Sequence, residues 1–185
     1  MRVGDVIRVI EEFAPLGIQE KWDNSGLCIG SPEDEVTSVL LGLDCTPELV
    51  DEAVSCGADM IVTHHPLIFR APNAVTDDTT LGRSIIFLAQ KGISAINAHT
   101  NLDCAPGGVN DVLAGKLGLA NVDVLNPNGV DAEGRPWGLL RHGTVESQSL
   151  QAFLPQVKAC LGCEGLRYIE GNKPVCHVAV GGGAC

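Results

Sequence analysis

The sequence predicts an α/β fold with a mainly parallel sheet and helical crossovers. Three observations predict it. Short runs rich in Val, Ile and Leu alternate with amphipathic helical segments along the first 117 residues. Those runs are apolar almost throughout rather than every second residue, as strands covered on both faces require. The residues most able to do chemistry fall just past the carboxyl ends of two such runs, where ligands collect in sheets of this kind.

The elements follow in order. Val3, Val6, Ile7, Ile10 and Phe13 recur at helical spacing, and Pro15 and Gly17 close that helix. The turn-rich stretch Lys21-Trp22-Asp23-Asn24-Ser25-Gly26 leads into a short strand, Leu27-Cys28-Ile29. Val36 to Leu43 reads as a strand. Thr46-Pro47-Glu48 reads as a helix start, with Thr as N-cap, Pro in the first turn and an acid near the positive end of the dipole. That helix is expected to end near Gly57, with a strand over Met60 to Val62. Leu81 to Gln90 is predicted helical, Ile93 to Ala98 a strand and Gly108 to Leu117 a helix. Asn121 to Gly134, rich in Asn, Pro, Gly and Asp, reads as a loop or hairpin region. Trp137 to Val145 is expected as a strand, Leu150 to Leu161 as a helix interrupted early by Pro155, and Leu166 to Ile169 and Val175 to Val180 as strands. The glycine run Gly181-Gly182-Gly183 follows the last of these.

Composition narrows the function. A net charge of −11 argues against a nucleic-acid surface, which needs clustered Lys and Arg. No apolar run approaches a membrane span, and the N-terminus lacks the apolar core of a signal peptide, so the expected compartment is the cytoplasm. Eight cysteines in a reducing compartment are expected as free thiols, and the lone CxxC at Cys160–Cys163 has no second pair to complete a metal site. Neither a G-x-x-x-x-G-K-[ST] loop nor a G-x-S-x-G elbow is present, so P-loop and serine-hydrolase readings lack support.

The pair His64–His65, ending the run Met60-Ile61-Val62-Thr63, is the strongest chemical signal. Unsatisfied buried imidazoles are costly, and imidazole is the commonest metal ligand. Side chains alternate across a strand, so adjacent His chelate one ion poorly unless the backbone bends there; they suit two ions, one imidazole to each. Asp103, in His99-Thr100-Asn101-Leu102-Asp103, is the natural carboxylate partner, with a turn or capping role as the bland reading. His99 fits a ligand, a proton shuttle or a residue orienting the carboxylate. Asp44 reads as an Asx-turn acid or a partner behind the ligands, and Trp22, Asp23 and Asn24 as a pocket rim or a loop cap. His142 and His177 read as ordinary strand positions. Mixed His and carboxylate ligands suit Zn, Fe, Mn or Ni without choosing among them. Two such ions roughly 3.5–4 Å apart would share a water and lower its pKa, which is hydrolytic chemistry.

Several motifs together resemble the NIF-three-like family, often described as GTP cyclohydrolase 1 type 2 homologues. They are Trp22-Asp23-Asn24-Ser25-Gly26-Leu27, Leu43-Asp44-Cys45-Thr46, Gly57 through Leu67 with its His-His-Pro, Asn97 through Asp103, Gly107-Gly108-Val109-Asn110, Gly165-Leu166-Arg167-Tyr168 and Val178 through Gly183. The resemblance implies a NIF-three-like α/β domain over residues 1–185, with His64 and His65 each binding one of a pair of divalent ions and Asp103 completing the shell of one. On such a site His99 is expected to assist proton transfer or orient the carboxylate. The resemblance also implies a homohexameric ring and a small-molecule substrate that is a nucleotide or carries phosphate, while charge and hydropathy speak against nucleic acid and membrane. A non-catalytic metal-binding protein or an oligomeric scaffold is the alternative. Family members carry a further His and Glu in a GHxxxE-like motif, a pattern absent here, so this chain is expected to be the N-terminal portion of the family domain. An unfinished sheet would leave Val175–Val180 as an apolar edge.

Overall fold

The computed structural model describes residues 1–131 and 133–183; Ala184 and Cys185, which end the glycine-rich tail, lie outside the described residues. The chain forms two compact units, one from Met1 to Leu102 and one from Asp103 onward.

In the first unit, helix α1 (Val3–Phe13) is followed by a 3-10 turn (Leu16–Ile18), β1 (Gly26–Ile29), β2 (Val39–Gly42), α2 (Pro47–Cys56), β3 (Met60–Thr63), α3 (Thr80–Lys91) and β4 (Ser94–Asn97). The sheet order is β1-β4-β3-β2. Strands β2, β3 and β4 are parallel, joined through α2 and α3 as the alternation requires, while β1 runs antiparallel to β4. Adjacent residues on β3 and β4 divide between two cores. Met60 and Ile96 pack with Val3 and Val36 beneath α1, whereas Ile61 and Ala95 pack with Val50, Ala53 and Leu88 beneath α2 and α3. The sheet is therefore covered on both faces, and this explains the unbroken apolar runs. Burying each such Val, Ile or Leu side chain contributes about 1.5–3 kcal/mol.

The helix ends obey their sequence signals. Thr46 Oγ1 accepts from the Leu49 amide, and Thr79 accepts from the Gly82 amide. Gly57 closes α2 in the left-handed region (φ 70°), where a Cβ would be strained.

Strand β2 is shorter than predicted. Residues 36–38 are drawn off the ladder: the Val36 amide donates to the Met1 carbonyl, and Asp59 accepts from the Thr37 amide, the Thr37 hydroxyl and the Ser38 amide. Those bonds hold the Asp59 carboxyl below the usual carboxylate range, the Thr37 amide contributing most. A carboxylate with a depressed folded pKa contributes stability above its unfolded value, about 3.9, and loses it as pH falls through the folded value. Asp59→Asn is expected to flatten the fall in melting temperature between about pH 5 and pH 3. An unchanged slope in a thermal-denaturation series would assign the acid sensitivity elsewhere.

Helix α4 (Thr100–Cys104) runs across the boundary between the units and was not foreseen as a helix. The second unit continues with α5 (Val109–Lys116), β5 (Ala120–Leu125), the hairpin β6 (Gly129–Val130) and β7 (Pro136–Trp137), β8 (Leu140–Gln148), α6 (Leu150–Leu161) and β9 (Val175–Val180). Its sheet, in the order β5-β8-β9, is antiparallel throughout. Three expectations are corrected here. The stretch 121–134, expected as loop or hairpin, does open the β6–β7 hairpin, but its first part pairs with β8 as β5; the polar composition that suggested a loop belongs to a largely exposed strand, with a register shift beside the positive φ of Asn121. Pro155 does not interrupt α6, which runs from its Ser149 cap to Gly162. Leu166–Ile169 forms no strand, and Ile169 is 94% exposed, without the burial that its composition suggested. Strand β9 lies at the edge of its sheet among the described residues. None of the seven described cysteines is in a disulfide, and no helix among the described residues is long and apolar enough to cross a membrane.

Candidate metal centre

His64 and His65 follow the last residue of β3 and extend its ladder. Their amides donate to the carbonyls of Gly42 and Leu43 at 3.3 and 2.9 Å. Thr63 Oγ1 then donates to the His65 carbonyl at 2.8 Å, two residues on. This local bond accompanies the departure from strand geometry that the adjacent histidines needed: their ring centroids lie only 5.0 Å apart instead of on opposite faces. His99 enters from the end of the neighbouring parallel strand β4. The Ala98 amide donates to the Thr63 carbonyl at 3.0 Å, which sets the two strand ends level. The His99 ring lies 5.2 Å from that of His64 and 5.7 Å from that of His65. One ring nitrogen from each of the three lies within 4.8 Å of the others.

Each imidazole is held through Nδ1. His64 Nδ1 is 2.8 Å from the Ala98 carbonyl, His65 Nδ1 is 2.7 Å from Asp44 Oδ1, and His99 Nδ1 is 2.8 Å from Asp23 Oδ1. An Nδ1–H donated to an oxygen leaves Nε2 as the lone-pair nitrogen, the tautomer a metal ligand needs. Three such rings facing one another fit a borderline divalent ion.

Asp23 is the most firmly held of the supporting acids, its side chain wholly buried. Burial alone would raise its pKa, but hydrogen bonds from Thr100, His99, Ser25 and the Asn24 amide outweigh that and bring it down to about 2. It is a fixed anion, and it reaches His99 because β1, which follows its loop, pairs with β4 at Gly26↔Asn97. Asp44 holds His65 from a more open position, 53% exposed.

The sequence-predicted residues are thus distributed as follows. His64, His65 and His99 come together in the first unit. Asp103 opens the second unit on α4; it is buried, and its backbone carbonyl accepts from Asn110 Nδ2 at 3.2 Å. Asp44 supports a histidine rather than serving only a turn. Asp23, read as a rim or a loop cap, turns out to be the partner of His99. The Ala98 carbonyl had no signal in the sequence, since any residue could supply it.

Comparison with known proteins shows what the chain as a whole is similar to. The model of the family described as Duf34/NIF3 (NGG1p interacting factor 3) matches residues 1–185. A Clostridium perfringens protein called GTP cyclohydrolase 1 type 2 homolog is 39% identical over 188 residues, covering 100% of this chain and 70% of that protein. A Bacillus cereus protein related to NIF3 has a structure similar at a TM-score of 0.91 and 26% identity, over 100% of this chain and 77% of its own. A Staphylococcus aureus hypothetical protein is similar at a TM-score of 0.87 and 31% identity, over 99% of this chain and 72% of its own.

Proposed function

The chain belongs to the Duf34/NIF3 family, and from that premise we propose that it carries a dinuclear centre for metal-dependent hydrolysis of a nucleotide or another phosphate-containing substrate. His64 and His65 each hold one divalent ion, Asp103 supplies a carboxylate, and His99 ligates beside them or carries a proton for the reaction. The observation that supports this reading best is the clustering of three imidazoles, each held at Nδ1, with one ring nitrogen of each within 4.8 Å of the others. The name of the Clostridium perfringens relative supplies GTP as the first substrate to try. Bound divalent ions supply Lewis-acid activation of a substrate oxygen and of the attacking water. The chain's own part is to orient the imidazoles: Asp23 locks His99, Asp44 steadies His65, and the Ala98 carbonyl fixes His64. A cytoplasmic homohexamer is the proposed setting.

The test is elemental analysis of protein purified without chelator, beside a size-exclusion mass and a hydrolysis assay on a nucleotide panel that includes GTP. About two divalent ions per chain with metal-dependent turnover supports the reading. Ions without turnover leave a metal-binding protein, and absence of ions ends the proposal. A mass below six chains removes the hexamer. Asp23→Asn keeps the shape of the side chain but replaces the anion behind His99, and it is expected to weaken metal affinity roughly 10–100-fold, the cost usual for partners behind a ligand. Equilibrium dialysis measures it, and an unchanged affinity would show that His99 is not a ligand.

A further inference from the structure

Two large aromatic side chains lie beside the histidines and take no part in holding them. Trp22 is 50% exposed and Phe69 is 42% exposed, although side chains of this size normally bury most of their area. Their placement is concerted. The two rings meet edge to face with centroids 6.1 Å apart, and each lies 6.3 Å from the His99 ring, also edge on. The loops that carry them are tied together, because Asn24 Nδ2 donates to the Ile68 carbonyl. Asn24 itself follows Asp23, the anion that anchors His99. The same short segment therefore positions a histidine of the centre and an exposed aromatic wall next to it.

We propose that Trp22 and Phe69 receive a planar aromatic ring of the substrate, a heteroaromatic base, and are specificity-determining residues of the site. The proposal rests on reading the histidine cluster as that site. Exposed aromatic faces next to a polar centre stack flat π-systems with little regard to their hydrogen-bonding edges. The wall thus selects for a base over an aliphatic or purely inorganic phosphate and does not choose among bases. The phosphate or sugar portion is left to the polar centre.

Trp22 reports on the wall directly, since Trp137 is the only other tryptophan. In a Trp137→Phe background, guanosine and adenosine are expected to quench Trp22 fluorescence. In the same protein, GTP is expected to bind at least tenfold more tightly than inorganic tripolyphosphate. Trp22→Leu and Phe69→Leu should each reduce that preference about tenfold, equivalent to ~1.4 kcal/mol, with bound metal unchanged. Trp22→Phe, which keeps a ring, should restore most of it. Equal binding of GTP and tripolyphosphate, or absence of quenching by either nucleoside, overturns the proposal. A lower size-exclusion mass for the Leu variants with the preference intact also overturns it, placing the rings in a contact between copies instead. Nucleoside quenching needs neither phosphate nor metal, so wild-type protein that quenches but holds no ions would sink the metal centre and leave the wall standing.

Discussion

Replacing both His64 and His65 by Ala is expected to reduce bound metal to background. Two of the three clustered imidazoles disappear, and the remaining ring of His99 cannot chelate alone. The loss should exceed the roughly 10–100-fold that changes behind a ligand produce, because the donor atoms themselves are gone. Folding should be affected little by comparison. The side chain of His65 is 43% exposed, and the ladder bonds at these positions come from backbone amides that Ala retains. Elemental analysis together with a melting curve separates the two effects. Retention of stoichiometric metal in a folded double variant would end the assignment, and any nucleotide hydrolysis would have to disappear with the metal.

Arg141→Ala is expected to cost about 3–5 kcal/mol of stability, the range seen when one partner of a buried ion pair is removed. The Arg141 side chain is only 2% exposed. Its Nε donates to Asp111 Oδ1 at 2.6 Å, Nη1 to the Gly138 carbonyl at 2.6 Å, and Nη2 to the carbonyls of Cys104 and Ala105 at 3.2 and 3.3 Å. Truncation leaves those carbonyls without the guanidinium and Asp111 with only the Gly107 amide as a donor, and unmet buried acceptors incur their full desolvation penalty. Arg141→Lys should recover little, since an ammonium on a flexible stem cannot reproduce the planar fork. A urea titration measures the change. A loss below about 1 kcal/mol would show that Asp111 and the carbonyls find water instead.

Local elements were legible where their signal is local. The cap at Thr46 and the left-handed glycine Gly57 follow from residues within a few positions of one another, and the parallel trio β2, β3 and β4 follows from the alternation of strand and helix. Misreadings came where composition stood in for pairing. Strand β5 carries Asn and Asp because it is exposed, and its strand character comes from β8, about twenty residues later. Leu166–Ile169 has strand composition and no neighbour to pair with among the described residues. At the edge of the first sheet, Val39, Leu41 and Leu43 are apolar yet exposed, which periodicity alone cannot report.

For the site, the sequence by itself determined that two histidines end one strand and a third follows another, because these are facts of order along the chain. It also determined that the strands are parallel neighbours, because helical segments separate them. Only the tertiary structure decided which way the rings face. The oxygens that hold Nδ1 stand 21, 34 and 76 residues away from the imidazoles they orient. Such partners are set by strand registry, as when β1 pairs with β4 and carries Asp23 to His99, and no periodicity along the chain encodes a contact made by two distant segments meeting in space.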